Sequence, residues 1–199
     1  MTSYSWTEIM RGTRYHEAGH AVAAYYHGYA ITRVIATDEQ WITYYRRPAF
    51  GGWADSWREA CIIMAGQLAD QRASWGKMRP EPWADFLENA EAALEALDYG
   101  EEWMRCDHTD LLQLLRQMGE VQLGTEPAAS YRIVVEDSQQ LVSDHWTEIE
   151  AVARALEQKS TLDGPEVVLI IERASRSDGC AALGSVSVEI STFWFRARP

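Results

Sequence analysis

The stretch that most constrains this chain is Tyr15-His16-Glu17-Ala18-Gly19-His20, an H-E-x-x-H arrangement inside a proline-free run from Tyr15 to His27. Four residues along a helix is slightly more than one turn, so His16 and His20 project from one face and can grip a single tetrahedral ion. Glu17, beside the first histidine, is placed to take a proton from a water at the ion's open position and pass it to a leaving amine. The competing reading is a helix with two polar residues one turn apart. With five histidines in the chain, a chance match is on the order of a 1% event, so the motif is specific without being decisive. Its surroundings add weight. Ala18, Ala21, Val22, Ala23 and Ala24 make the helix small-sided. Gly19 costs roughly 1 kcal/mol of helix propensity, which implies that another element packs against the backbone there.

Composition limits what such a motif can belong to. The 199 residues suffice for one domain with a substantial core. A net charge of -12 argues against a nucleic-acid partner, since phosphates reward lysine and arginine. Cys61, Cys106 and Cys180 lie far apart and form no C-x-x-C pair, which signals neither a disulfide framework nor a cysteine metal site and fits a reducing compartment. Apolar runs such as Val167 to Ile171 are far shorter than the roughly 20 residues a membrane span needs. The N-terminus carries no basic-then-apolar signal, so the expectation is a cytoplasmic protein with no membrane span.

Ahead of the motif, Ser5 with Glu8 reads as a capping box opening a short helical turn. Gly28 ends the motif helix. Ala30 to Ala36 and Gln40 to Arg46, rich in β-branched and aromatic residues around Thr37-Asp38-Glu39, read as a hairpin that could serve as a rail for an extended substrate. Arg46-Arg47-Pro48 and Gly51-Gly52 form a loop. A helix follows from Trp53 to Trp75, with Trp57, Ala60, Cys61, Met64, Ala65, Leu68 and Ala69 on one face and Gly76 as its stop. After Arg79-Pro80-Glu81-Pro82, a second stripe from Trp83 to Leu97 predicts another helix, closed by Gly100. Gly124 to Pro127 is a joint, and one long helix is expected from about Ala128 to Lys159, with Leu141 and Ile149 on one side. His145 on that apolar side reads as a satisfied core histidine rather than a ligand. Asp163-Gly164-Pro165-Glu166 caps a short last helix, although Val167 to Ile171 would also suit a strand. Ser185 to Ser191 alternates as a strand would, and Phe193-Trp194-Phe195 follow.

A catalytic zinc site needs a third protein ligand. Cys106-Asp107-His108-Thr109-Asp110 opens a leucine-rich helix, and two roles compete there. Asp107 as N-cap with Asp110 favoured by the helix dipole explains the acids without a metal. Asp110 as third ligand explains them with one. Spacing alone leaves Asp110, Asp107, His108, Asp98, Glu101 and Glu102 all open.

Three patches of the chain resemble the peptidase domain of the FtsH-type ATP-dependent zinc metalloproteases. Tyr15 to Val22 is close to that family's motif helix. Ile62-Ile63-Met64-Ala65-Gly66-Gln67-Leu68-Ala69-Asp70 with Trp75-Gly76 looks like its second helix. Leu141 to Ile171, with His145-Trp146, Ile149-Glu150, Ala153, Leu156 and Thr161-Leu162-x-Gly164, is similar to its closing helices. The likeness covers roughly residues 12 to 172, and only the first patch is highly specific. It implies an aspartate third ligand in a short acid-leucine segment, which Asp110-Leu111 matches and which moves Asp110 ahead of its rivals. Residues 77 to 106 look like an insertion, and the ATPase module, Walker motif and membrane helix of that family have no counterpart in the sequence.

These readings together predict a mainly α fold, a helical zincin-like bundle with one small β-hairpin, as a peptidase domain over residues 1 to 174 and a tail over 175 to 199. The expected function is zinc-dependent hydrolysis of peptide bonds in flexible or unfolded polypeptides. His16, His20 and Asp110 are the expected zinc ligands, and Glu17 the general base and acid. The resemblance implies a separate ATPase or a homo-oligomer as partner. The rivals are a non-catalytic or regulatory module acting by protein binding and a zinc hydrolase of another kind. Intact Glu17 speaks against a retired site.

Overall fold

A computed structural model describes residues 6–47, 53–98, 107–118 and 127–182. Among them the chain is mainly helical. The helices are α1 (Trp6–Tyr26), α2 (Trp53–Trp75), α3 (Trp83–Asp98), α4 (Asp107–Met118), α5 (Pro127–Asp144), α6 (Trp146–Lys159) and α7 (Gly164–Ala182), and the strands are β1 (Ala30–Ala36), β2 (Trp41–Arg46) and β3 (Thr161–Asp163). No helix among the described residues is long and apolar enough to cross a membrane.

The small-sided motif helix α1 lies at the centre and packs most extensively on α2, with α6 and β1 against its other sides. Ala18, Ala21, Val22, Ala23 and Ala24 are fully buried. Gly19 answers to close packing: a Cβ there would stand 2.6 Å from the Ala65 carbonyl oxygen and 2.8 Å from the Ala69 Cβ of α2. Burying a side chain such as Val22 stabilises by roughly 1.5–3 kcal/mol, which outweighs the propensity lost at Gly19. The periodic face expected on α2 is the observed one, with Ala60, Cys61, Met64, Ala65, Leu68 and Ala69 all buried.

The hairpin forms as expected, with β1 and β2 antiparallel. It gains a third strand that no periodicity in the sequence announces. Thr161 to Asp163 pairs antiparallel with β1, opposite Ile35 to Arg33, and gives the order β2-β1-β3. Gly164, which follows, sits so close to the Ile31 carbonyl that a Cβ would overlap it. Consequently β2 is an edge strand whose outer side carries no partner among the described residues.

Three boundaries differ from expectation. The turn before the motif and the motif helix are one continuous helix, and Ser5 of the expected capping box lies outside the described residues. The long helix expected from Ala128 to Lys159 breaks at His145 into α5 and α6. Periodicity sets Leu141 on the same side as Ile149, but the break lets each half choose its own buried face. The last helix runs on to Ala182 and passes through the expected boundary at residue 174 without a turn. Ser175 is tied into the body by hydrogen bonds to Glu148 and Tyr26. The expected strand at 185 to 191, the helix stop at Gly100 and the joint from Gly124 as far as residue 126 lie outside the described residues.

Candidate metal centre

The two motif histidines meet at one point because α1 stacks them one turn apart. His16 Nε2 and His20 Nε2 are 2.9 Å apart, with their rings edge to face. His20 is held from behind: its Nδ1 lies 2.8 Å from the Ile62 carbonyl of α2. A carbonyl only accepts, so Nδ1 carries the proton and, in the neutral ring, Nε2 presents a lone pair. Gly66, one turn further on α2, makes the space. A Cβ at that position would fall inside the His20 imidazole.

The carboxylate brought to this pair is Asp107. Its Oδ2 lies 2.9 Å from His16 Nε2 and 3.3 Å from His20 Nε2, yet it is enclosed and makes no well-aligned hydrogen bond. Three polar atoms from two helices therefore crowd one position. The set lies within 4.8 Å and could hold a metal ion; it is the one such group among the described residues. Zinc with bonds of ~2.0–2.1 Å would set its ligand atoms about 3.3 Å apart, close to these spacings. The His20 ring responds to the same carboxylate. Burial alone would lower its pKa, but the charge and closeness of Asp107, helped by Glu17 and the Ile62 carbonyl, raise it to about 9. Burial would likewise raise the pKa of Asp107, and the two imidazoles outweigh it, leaving the carboxyl well below the usual range.

Asp110, the expected third ligand, is not in the group. It lies three residues further along α4, about 4.5 Å of helix rise beyond Asp107, and lines the same cleft on the side of Glu59, whose carboxyl it helps to raise after burial. Helical side chains lean toward the N-terminal end of their helix, and Asp107, one turn ahead of Asp110 on α4, is the acid that reaches the α1 histidines. His108 turns to other partners, Gln67 and Glu81, and Glu101 and Glu102 lie outside the described residues.

Glu17 is buried beside the histidines. No neighbour in the motif anchors it, and the fold supplies an anchor from β2: the Thr43 hydroxyl is 2.8 Å from Glu17 Oε2 and 3.0 Å from the Glu17 carbonyl oxygen. Nothing in the linear pattern marks Thr43, because its role depends on how the hairpin folds over α1. The cluster opens onto a cleft of ≈ 1570 Å³ lined in part by His16, Glu17, Thr43, Asp107, Trp41 and Trp75. Trp41 and Trp75 are about half exposed at its rim.

Compared with known proteins, the chain matches no family model and no curated protein.

Proposed function

We propose that this protein is a zinc metallopeptidase in which His16, His20 and Asp107 hold the ion and Glu17 moves the protons. The observation that carries the reading is the convergence of His16 Nε2, His20 Nε2 and Asp107 Oδ2 beside a buried glutamate that belongs to the cleft but not to the ligand set. A group that only stored metal would have no use for that carboxylate. Two neutral imidazoles and one carboxylate leave a divalent site near +1. A zinc ion there would supply Lewis acidity toward a water and a scissile carbonyl. With Oε2 engaged by Thr43, Glu17 uses Oε1 to accept the proton of the attacking water and to return it to the leaving amine nitrogen.

The substrate class follows from the cleft. β2 lies at the sheet edge, and its Trp41, Ile42, Thr43 and Tyr45 line the cleft. An extended polypeptide adding antiparallel to β2 would run past the three ligand atoms. Flexible or already unfolded chains are the fitting substrates, with a separate ATPase or self-assembly as the route for folded ones. The test compares wild type with Glu17→Gln on an unfolded, casein-like substrate with zinc bound. The expected result is equal zinc content and loss of hydrolysis in the variant. Equal hydrolysis in both proteins would remove Glu17 from the reaction and with it this reading, and none in either would return the chain to a protein-binding role.

A further inference from the structure

Asp107 is the one member of the group that comes from outside α1, so its place opposite the histidines depends on how α4 is held against α2 and α3. A ligand carried on a second helix needs a support that fixes that helix. The support is on the next residue. His108 uses both ring nitrogens: Gln67 of α2 lies 3.4 Å from Nδ1, and Nε2 lies 3.2 Å from Glu81 Oε2. Gln67 Nε2 can only donate, so Nδ1 accepts and Nε2–H donates to the carboxylate. The ring also stacks on Phe86 of α3, with centroids 5.6 Å apart.

Glu81 is itself fixed. Its Oε1 accepts from Asn89 at 2.6 Å and its carbonyl from the Tyr131 hydroxyl of α5 at 2.8 Å. Gln67 sits one residue past Gly66, the glycine that admits the His20 ring. Helix α2 thus touches both halves of the ligand set, His20 directly and Asp107 through Gln67 and His108.

We propose that the Glu81–His108–Gln67 line is the positioning device of the metal centre, which holds the first turn of α4 so that the Asp107 carboxylate stands opposite the two histidines. It gives a purpose to the segment before α3, which the sequence presents only as an insertion. The proposal rests on the zinc-site reading above. Partners outside the ligand set of this kind typically account for 10- to 100-fold in metal affinity.

The experiment measures zinc affinity by competition with a chromophoric chelator, alongside thermal unfolding of the metal-free protein, for wild type, His108→Phe and Glu81→Ala. His108→Phe keeps an aromatic ring on Phe86 and removes both hydrogen bonds. Glu81→Ala removes the carboxylate and leaves the Tyr131 bond to the backbone. The expected result is zinc binding weakened about 10- to 100-fold in each, with the metal-free unfolding midpoint within about 2 °C of wild type. Unchanged affinity in both variants would overturn the proposal. So would a loss of affinity accompanied by collapse of the metal-free fold in both, which would make the line an ordinary packing contact. Failure of the wild type to bind zinc would instead bring down the metal reading itself, and the wild-type control separates the two outcomes.

Discussion

Two histidine–carboxylate clusters hang on α1, and they are built to opposite ends. At the cleft, one donor atom each from His16, His20 and Asp107 crowd together within 3.3 Å of one another. At the C-terminal end of the helix, His145 and Glu148 meet Tyr26 and Ser175. There Glu148 Oε1 accepts from the Ser175 hydroxyl at 2.8 Å and the Tyr26 hydroxyl at 3.1 Å. His145 Nδ1 stays 3.6 Å away, and its ring stacks flat on Tyr26 with centroids 3.5 Å apart. In the second cluster hydroxyl protons satisfy Glu148 Oε1, while its Oε2 is buried without a hydrogen-bond partner. In the first no hydroxyl among the described residues reaches Asp107 Oδ2, and only a proton or a cation can. The residue types are alike, and what sets the first cluster apart is that two histidine nitrogens converge on one carboxylate oxygen, where the second has a single histidine at 3.6 Å.

The sharpest way to break that contrast is Gly66→Ala. The new methyl would occupy the place of the His20 ring and push it off the Ile62 carbonyl. Since the displaced group is the end of a side chain, the fold survives, and the helix gains up to about 1 kcal/mol of propensity. The expected outcome is zinc affinity down on the order of 100-fold with stability unchanged or slightly higher, read by chelator competition and thermal unfolding. A smaller effect is expected at the other cluster. Burial would raise the pKa of Glu148, but the bonds from Ser175 and Tyr26, with His145 nearby, lower it below its ordinary 4.5. A depressed carboxyl contributes stability above its unfolded value and loses it as pH falls through the folded one. Wild type should therefore weaken as pH drops below about 4.5, whereas Glu148→Gln, less stable by roughly 1–3 kcal/mol at pH 7, should show a shallower slope. Zinc affinity should not change; if it did, the two clusters would be one coupled system.

Sequence periodicity told the end of α2 and the hairpin to the residue or nearly so, because Gly76 stops α2 and Gly28 separates the motif helix from β1. It joined α5 to α6, since no glycine or proline marks His145 and the break shows only where the two halves pack differently. β3 is three residues long and exists only through its pairing with β1, a contact that local pattern cannot report. At the site, His16, Glu17 and His20 were legible because one helix sets their spacing. The carboxylate that joins them was not. Asp107 and Asp110 are one turn apart on the same face of α4, so the pattern serves both, and only how α4 is set against the rest of the fold decides between them. Thr43, Gln67 and Glu81 come from three other segments and carry no motif.

The proposed zinc site stands or falls on the identity of that carboxylate. Zinc content per chain, measured on purified wild type, Asp107→Ala and Asp110→Asn after metal loading and desalting, tests it in one experiment. With Asp107 as the third ligand, wild type and Asp110→Asn should each carry about one zinc. Asp107→Ala should carry little, because a site left with two histidines has lost the one charged member of its ligand set. Zinc retained by Asp107→Ala and lost from Asp110→Asn would reverse the assignment.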